Sequence, residues 1–407
     1  MESKIKIKGG LRFFIFFAST FLGLSNIYWL PIIGDIRVIS VTLFILTCST
    51  LFFIKLKKNQ IYLPNRYYGV FGMTVLFILF IPSILLSNNE LPFKILLDFI
   101  NFYIFLWIIY IIANKSEKAI IKITSNATKV ILFFCALHII ESTFTIYNIS
   151  PTHSSLSQYT GFKETGFNLS RTGWSNGICL FIPCIFLVFK NDFFKIIGIL
   201  VILYSQFLCG GRSGLIASIY MILALIKLQK TISNYKIFFL LGLILIFGAL
   251  NIDLIISSLR FDRLDNQQIT FNTLNYFSAN RLIGYQYGLE IWVNNPFTGK
   301  GIGNVDLSSI SNVKDIHNFW VKTLAESGIL TCLFLLAFIS YPIRIGLKYI
   351  NRFKNEVTIY FFIIVSGGAL LTLFEPNVIF NSFKNSSIWW FSLAVMLSKI
   401  KQFNRVK

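Results

Sequence analysis

Residues 315–340 read DIHNFWVKTLAESGILTCLFLLAFIS. The second half is uncharged and apolar from Ile329 to Ile339, while the first half threads a histidine, a lysine and a glutamate through otherwise apolar residues. A bilayer core takes about 20 such residues per helix, so the segment reads as a membrane span with a polar mouth. The rest of the chain repeats the apolar half. Runs of similar length sit near residues 11–30, 38–55, 69–87, 95–113, 126–146 and 174–189. Others lie near 196–208, 214–227, 237–256, 317–340, 357–374 and 386–399. The expected fold is an all-α polytopic membrane protein of about twelve transmembrane helices, a single membrane domain over residues 1–407.

Composition agrees. Of 407 residues 55% are hydrophobic and 13% charged, against about a quarter charged in soluble domains. The net charge of +20 would suit nucleic acid, but the basic residues lie beside the apolar runs and in no soluble domain, which excludes that partner. They also alternate. Lys4, Lys6, Lys8 and Arg12 precede the first run. Every second connection is basic: Lys55–Arg66, Lys115–Lys122, Lys190–Lys195, Lys227–Lys236, Arg344–Lys354 and the tail from Lys399. About two thirds of the basic residues thus fall on one side, which the positive-inside rule makes cytoplasmic, with both termini inside. The first run, Leu11 to Leu30, is expected to stay as an anchor.

Two external connections are long: a medium loop at 147–173 and a loop of about 60 residues at 257–316, far beyond ordinary connection lengths. The long loop contains RLIGYQYGLEIWVNN, where Leu282, Tyr285, Leu289 and Trp292 make an apolar stripe at helical spacing, as in a helix lying on a membrane surface. NPFTGKGIGN then stops it with Pro296, Gly299, Gly301 and Gly303; this is no P-loop, because it follows a helix and not a strand. Cys48, Cys135, Cys179, Cys184, Cys209 and Cys332 have no zinc-ligand spacing. They read as small apolar residues, and neither metal nor cofactor is expected.

Charge near apolar spans is costly and marks candidates. Arg212, in SQFLCGGRSGLIAS, opens a helix among Gly210, Gly211 and Gly214. It is either an anion cradle at a helix N-terminus or an arginine snorkelling to the headgroups. Arg281 opens the stripe helix, and Arg171 precedes the span at 174–189 as an interfacial anchor. Arg260, Asp262, Arg263 and Asp265 form a solvated, self-paired face. Of three histidines, His138 neighbours Glu141 inside a span and the pair is expected to be buried, while His153 receives no role. His317 sits where the long loop re-enters the membrane, capped by Asp315, and can exchange a proton near neutral pH. Lys322 and Glu326, at i and i+4, are expected to pair. Glu326, half a turn out of phase with His317, is expected to anchor a neighbouring helix.

The order CGGRSGLIA, then NRLIGYQYGLEIWVNNPFTGKGIGN, then HNFWVKTLAESGIL resembles the O-antigen ligase and polymerase superfamily of bacterial membrane glycosyltransferases. The likeness covers residues 205–330 in motif and the whole chain loosely in topology. It departs at Gly211-Arg212, where the family has Ser-Arg, and lacks the Arg-x10-Gly motif of some polymerases. It implies a GT-C-like membrane fold and a metal-independent transfer on the outer face of the bacterial cytoplasmic membrane. The donor would be an undecaprenyl-diphosphate-linked oligosaccharide. Arg212 and Arg281 would hold the lipid diphosphate and His317 would act as base, with Arg171, Trp292, Asn318, Trp320, Lys322 and Glu326 supporting the site or a glycan groove. Partners would be membrane lipids, a chain-length regulator and a flippase. The favoured activity is polymerase; ligase transfer to lipid A-core and a lipid-linked oligosaccharide flippase are the alternatives.

Overall fold

The structure is a computed structural model; it describes residues 9–30, 34–56, 70–87, 91–144, 165–229, 270–278, 281–305, 307, 315–353, 355–376, 379 and 383–404. The expected span at 237–256, His153, and the stretch from Arg260 to Asp265 lie outside the described residues. The described chain is helical apart from a minimal antiparallel pair, β1 (Trp29–Leu30) with β2 (Gly34–Asp35). The helices of the first half are α1 (Gly9–Leu24), α2 (Arg37–Leu56), α3 (Val70–Leu85), α4 (Leu91–Lys115) and α5 (Glu117–Phe144). Then come α6 (Arg171–Cys179), α7 (Ile185–Val188), α8 (Asp192–Leu208) and α9 (Arg212–Gln229). The last are α10 (Phe271–Phe277), α11 (Arg281–Asn294), α12 (Phe319–Phe353), α13 (Glu356–Leu371) and α14 (Phe383–Asn404).

Leu97–Lys115, Glu117–Phe144 and Phe319–Arg352 are each long and apolar enough to cross a membrane, and Gly9–Leu24, Arg37–Leu51, Thr74–Leu85 and Glu356–Leu371 are shorter apolar helices. Together they mark a helical membrane protein. α14 runs through its centre: Ile388, Trp389, Trp390, Phe391, Leu393, Ala394, Val395 and Met396 are fully buried, as a helix apolar on all sides must be. Trp390 stacks on Phe102 of α4 with ring centroids 4.8 Å apart. Both buried indoles are satisfied, Trp389 Nε1 by Val365 O at 3.0 Å and Trp390 Nε1 by Ile379 O at 2.9 Å.

Two expected spans are broken. The run at 174–189 is not one helix: α6 ends at Cys179, and the chain tightens through Ile182 N to Cys179 O and Cys184 N to Phe181 O, both 3.0 Å, before the single turn of α7. Pro183 supplies no N–H to continue a helix, and Ile178, Cys179, Phe181, Ile182 and Cys184 are all fully buried, so this run faces protein. The run expected at 317–340 extends to Phe353 and is interrupted at Gly328, where φ is 75° and ψ is −179°.

Candidate active site

The interruption at Gly328 is built by the glycine-rich stop. Phe297 O would lie 2.1 Å from any Cβ at position 328, so only glycine admits that approach, in a backbone region that excludes side chains. Ile329 N donates to Pro296 O at 2.8 Å, Lys300 N to Ala325 O at 2.8 Å and Gly301 N to Glu326 O at 3.1 Å. The loop thus bonds the groups that the broken helix frees. Gly303 N donates to Glu326 Oε1 at 3.1 Å, and Ile302 N donates to Ser83 O of α3 at 3.1 Å. Glu326 therefore anchors a loop where a neighbouring helix was expected, fixing the strap that follows α11.

α11 meets the mouth of α12 differently from its apolar stripe. Its buried positions are Gly284, Gly288 and Ile291, whereas Leu289 is exposed. A Cβ on Gly288 would sit 2.7 Å from Ile316 Cδ1 and Val321 Cγ1. Close approach of backbone, which needs small residues, outweighs the burial of a leucine here. It brings Tyr285 to the loop before α12, where its hydroxyl donates to His317 O at 2.9 Å. Burial pushes the Tyr285 phenol above its ordinary value, opposed by the Arg281 charge and reinforced by Glu375, so it remains a donor.

At the start of α11, Arg281 Nη2 bonds Glu375 Oε1 at 2.7 Å and Nη1 donates to Phe374 O at 3.2 Å. The other oxygen of that carboxylate, Glu375 Oε2, lies 3.2 Å from His317 Nδ1. Glu375 is buried, His317 about a third exposed and Arg281 a fifth exposed by side chain. An ionised carboxylate only accepts, so the contact sets the proton on Nδ1 and leaves Nε2 as the basic nitrogen. Nε2 has no hydrogen-bond partner among the described residues. The segment after α13 holds this arrangement from behind: Phe319 N donates to Thr372 O at 3.0 Å and Asn318 Nδ2 to Leu373 O at 2.9 Å.

One local expectation changes and another is extended. The cap of α12 is Asn318, whose Oδ1 accepts from Trp320 N at 2.9 Å and Val321 N at 3.1 Å; Asp315 instead accepts from Ile316 N. The expected i, i+4 pair is present, with Lys322 Nζ 3.9 Å from Glu326 Oε1. Asp315, brought back over the first turn, shares the same ammonium at 2.9 and 2.8 Å to its two oxygens. Trp320 packs edge-on against Phe319 at 5.2 Å. Trp292 stands eleven residues after Arg281, about 16 Å along the helix, with its Nε1 buried and unpartnered among the described residues.

Arg171 and Arg212 lie near the tight turn between α8 and α9. Ser170 caps α6 through Gly173 N at 3.0 Å, so Arg171 is its first residue, as Arg212 is that of α9. Ser175 Oγ donates to Gly211 O at 2.9 Å, and a Cβ on Gly211 would lie 2.2 Å from Ser175 Cβ. Ser175 thus fills the space that a side chain at position 211 would need. Burial pushes the Cys209 thiol up to about 12, with the Gly211 backbone and the Arg171 charge pulling the other way. Arg171 thus lies beside this turn, its carbonyl 3.4 Å from where a Cβ on Gly211 would sit. α9 packs on α13 where Gly367 makes room for Met221.

Glu375 is the member that sequence reading missed. Its one signal is a carboxylate in TLFEPNV, just past an apolar run and before a proline. His138 proves to be held by Ser205 Oγ at 2.8 Å, an oxygen that also accepts from Trp174 Nε1 at 3.0 Å, with Glu141 buried one turn away. Among the described residues no group of three His, Cys, Asp or Glu could hold a metal ion. No family model matches the chain, and no curated protein matches it significantly.

Proposed function

We propose that the protein is a surface-polysaccharide polymerase of the O-antigen ligase and polymerase type. It spans the bacterial cytoplasmic membrane about twelve times with both termini inside. It moves a glycan from an undecaprenyl-diphosphate carrier to a hydroxyl of another lipid-linked repeat unit. The observation that carries this reading is the Arg281–Glu375–His317 cluster, which sets an imidazole with an open Nε2 beside a guanidinium at the mouth of α12. In the positive-inside topology, the start of α9 and the end of α13 both face outward. The two helices pack through Met221 and Gly367, which supports putting Arg212 at the same outer rim as Glu375.

The chemistry follows from these roles. The acceptor oxygen attacks the anomeric carbon and its proton passes to His317 Nε2, a service worth about 10²–10⁴ in rate. The bond from that carbon to the diphosphate oxygen breaks, and the lipid diphosphate leaves with the electron pair. Arg212 and Arg281, fixed before the reaction, stabilise the growing charge. Arg171, Asn318, Lys322 and Glu326 hold the surrounding elements in place, and Trp320 offers an aromatic edge near the mouth.

The test is a surface-glycan gel from the source strain deleted for this gene, complemented with wild type or His317→Ala. Glycan stopping at one repeat unit supports the polymerase. Full-length chains stranded on the carrier lipid make the protein a ligase. A normal ladder restored by His317→Ala removes the histidine from the chemistry.

A further inference from the structure

We infer that Glu375 is an exchange element: in the empty site it neutralises Arg281, and when a diphosphate takes over that arginine the carboxylate passes to His317 and strengthens it as a base. This rests on the proposed donor site and deepens it, by tying activation of the acceptor base to loading of the donor.

The geometry is already asymmetric in that sense. The carboxylate leans on Arg281 at 2.7 Å and holds His317 at 3.2 Å. A buried anion shared between a permanent cation and an imidazole gives most of its field to the cation. Among the described residues Arg281 has only Phe374 O as a second partner, at 3.2 Å, and a fifth of its side chain is accessible. A diphosphate oxygen offers a guanidinium a bidentate, charge-assisted contact. Once Arg281 turns to it, Glu375 cannot remain buried without a partner, and His317 Nδ1 is the polar hydrogen already in reach. The other groups facing the imidazole leave that choice open. From α11 these are Arg281 and the Tyr285 hydroxyl, which is spent on His317 O. Next to it along the chain, Asp315 and Glu326 share Lys322. Binding and protonation are then linked reciprocally.

The experiment is a ¹⁵N-histidine titration of the full chain in lipid nanodiscs, with the His317 signal assigned by His317→Gln. The probe is inorganic pyrophosphate, whose binding is measured separately by calorimetry. Exchange predicts that pyrophosphate raises the His317 midpoint by about one pH unit or more. In Glu375→Gln, where only the screened direct charge of the probe acts, the rise falls to about a third of a unit or less. Equal rises in both proteins, or none in wild type despite binding, overturn the exchange and leave the donor site standing. No pyrophosphate binding to wild type defeats the donor site as well. Should the glutamine variant not fold, a wild-type structure with pyrophosphate decides. Opening of Arg281 Nη2 to Glu375 Oε1 beyond about 4 Å supports exchange, and an unchanged pair refutes it.

Discussion

Replacing Glu375 by glutamine changes one atom, and the structure fixes where that atom must go. Arg281 and the protonated His317 Nδ1 are both donors aimed at the two carboxylate oxygens, at 2.7 and 3.2 Å. A glutamine has one oxygen and one NH₂. Arginine has no acceptor and no second state, so the amide oxygen must keep the Oε1 place and the NH₂ must face the imidazole. Histidine can yield: its proton moves to Nε2 and Nδ1 accepts from the amide. The side chains stay where they are, but the nitrogen turned to the acceptor now carries a hydrogen and cannot take another. In a serine-protease triad this carboxylate-to-amide tautomer trap lowers kcat by about 10⁴; because His317 is a third exposed and water can relay protons, about 10²–10⁴ is expected here. Loss of the charge on a pair that is partly exposed on the arginine side should cost about 1–2 kcal/mol of stability. The assay is transfer rate in proteoliposomes given a lipid-linked repeat unit, with ¹⁵N shifts reporting the His317 tautomer. A variant that keeps its proton on Nδ1, or that turns over within threefold of wild type, refutes the assigned role of the carboxylate.

Gly328→Ala should lower stability by about 3 kcal/mol, since a positive φ restricted to glycine is combined with a Cβ facing Phe297 O. Gly284→Ala, whose Cβ would meet only Leu307 Cδ1 at 3.6 Å, should be neutral or gain about 0.5 kcal/mol; thermal unfolding in detergent separates the two. Asn318→Ala should cost about 1 kcal/mol from the lost cap and lower the transfer rate by loosening the link to Leu373 O. Asn318→Asp should keep the cap and lose that link, so equal stability of the two variants would rule out capping as the reason. Gly211→Ser should destabilise the α8–α9 turn, and adding Ser175→Gly should restore it, because the two hydroxymethyl groups compete for one space. An additive double mutant would show that they do not.

The helices were legible because their apolar runs are long. What the runs could not reveal was the company each keeps. Residues 174–189 have the composition of a span, yet Pro183 and burial on all sides make them an interior turn. In α11 the apolar stripe pointed to Leu282 and Leu289, while the packing face is Gly284, Gly288 and Ile291; burial patterns reward size, and close helix contact rewards its absence. His317 and Arg281 could be nominated since a charge at the edge of a span is conspicuous. Glu375 could not, because its partners lie 94 and 58 residues away and nothing in TLFEPNV distinguishes a site carboxylate from a loop one. The same limit explains Lys322: helical spacing offered Glu326, but Asp315, outside the helix, was closer.

The distribution of unmet hydrogen-bonding capacity argues for where chemistry is done. Inside the helix bundle polar side chains bond one another: Ser205 receives His138 and Trp174, and Gln206 links Ser175 O at 2.9 Å with Ser218 Oγ at 2.8 Å. Such groups tie α5, α6, α8 and α9 together, and a proton or ion path through them would have to break those ties. Buried atoms without a hydrogen-bond partner among the described residues do occur inside, at Asn26, Ser40, Tyr110, Ser142, Ser387 and Ser398, but an amide, a hydroxyl or a phenol carries no charge at neutral pH. At the mouth of α12 the case is reversed. His317 has a basic nitrogen with no partner among the described residues, and the guanidinium beside it is held by a carboxylate and one long backbone contact. A titratable group with a spare nitrogen at the rim, over an interior whose unpartnered described groups carry no charge, weighs for the proposed enzyme at a membrane face against a carrier that moves its substrate through the middle.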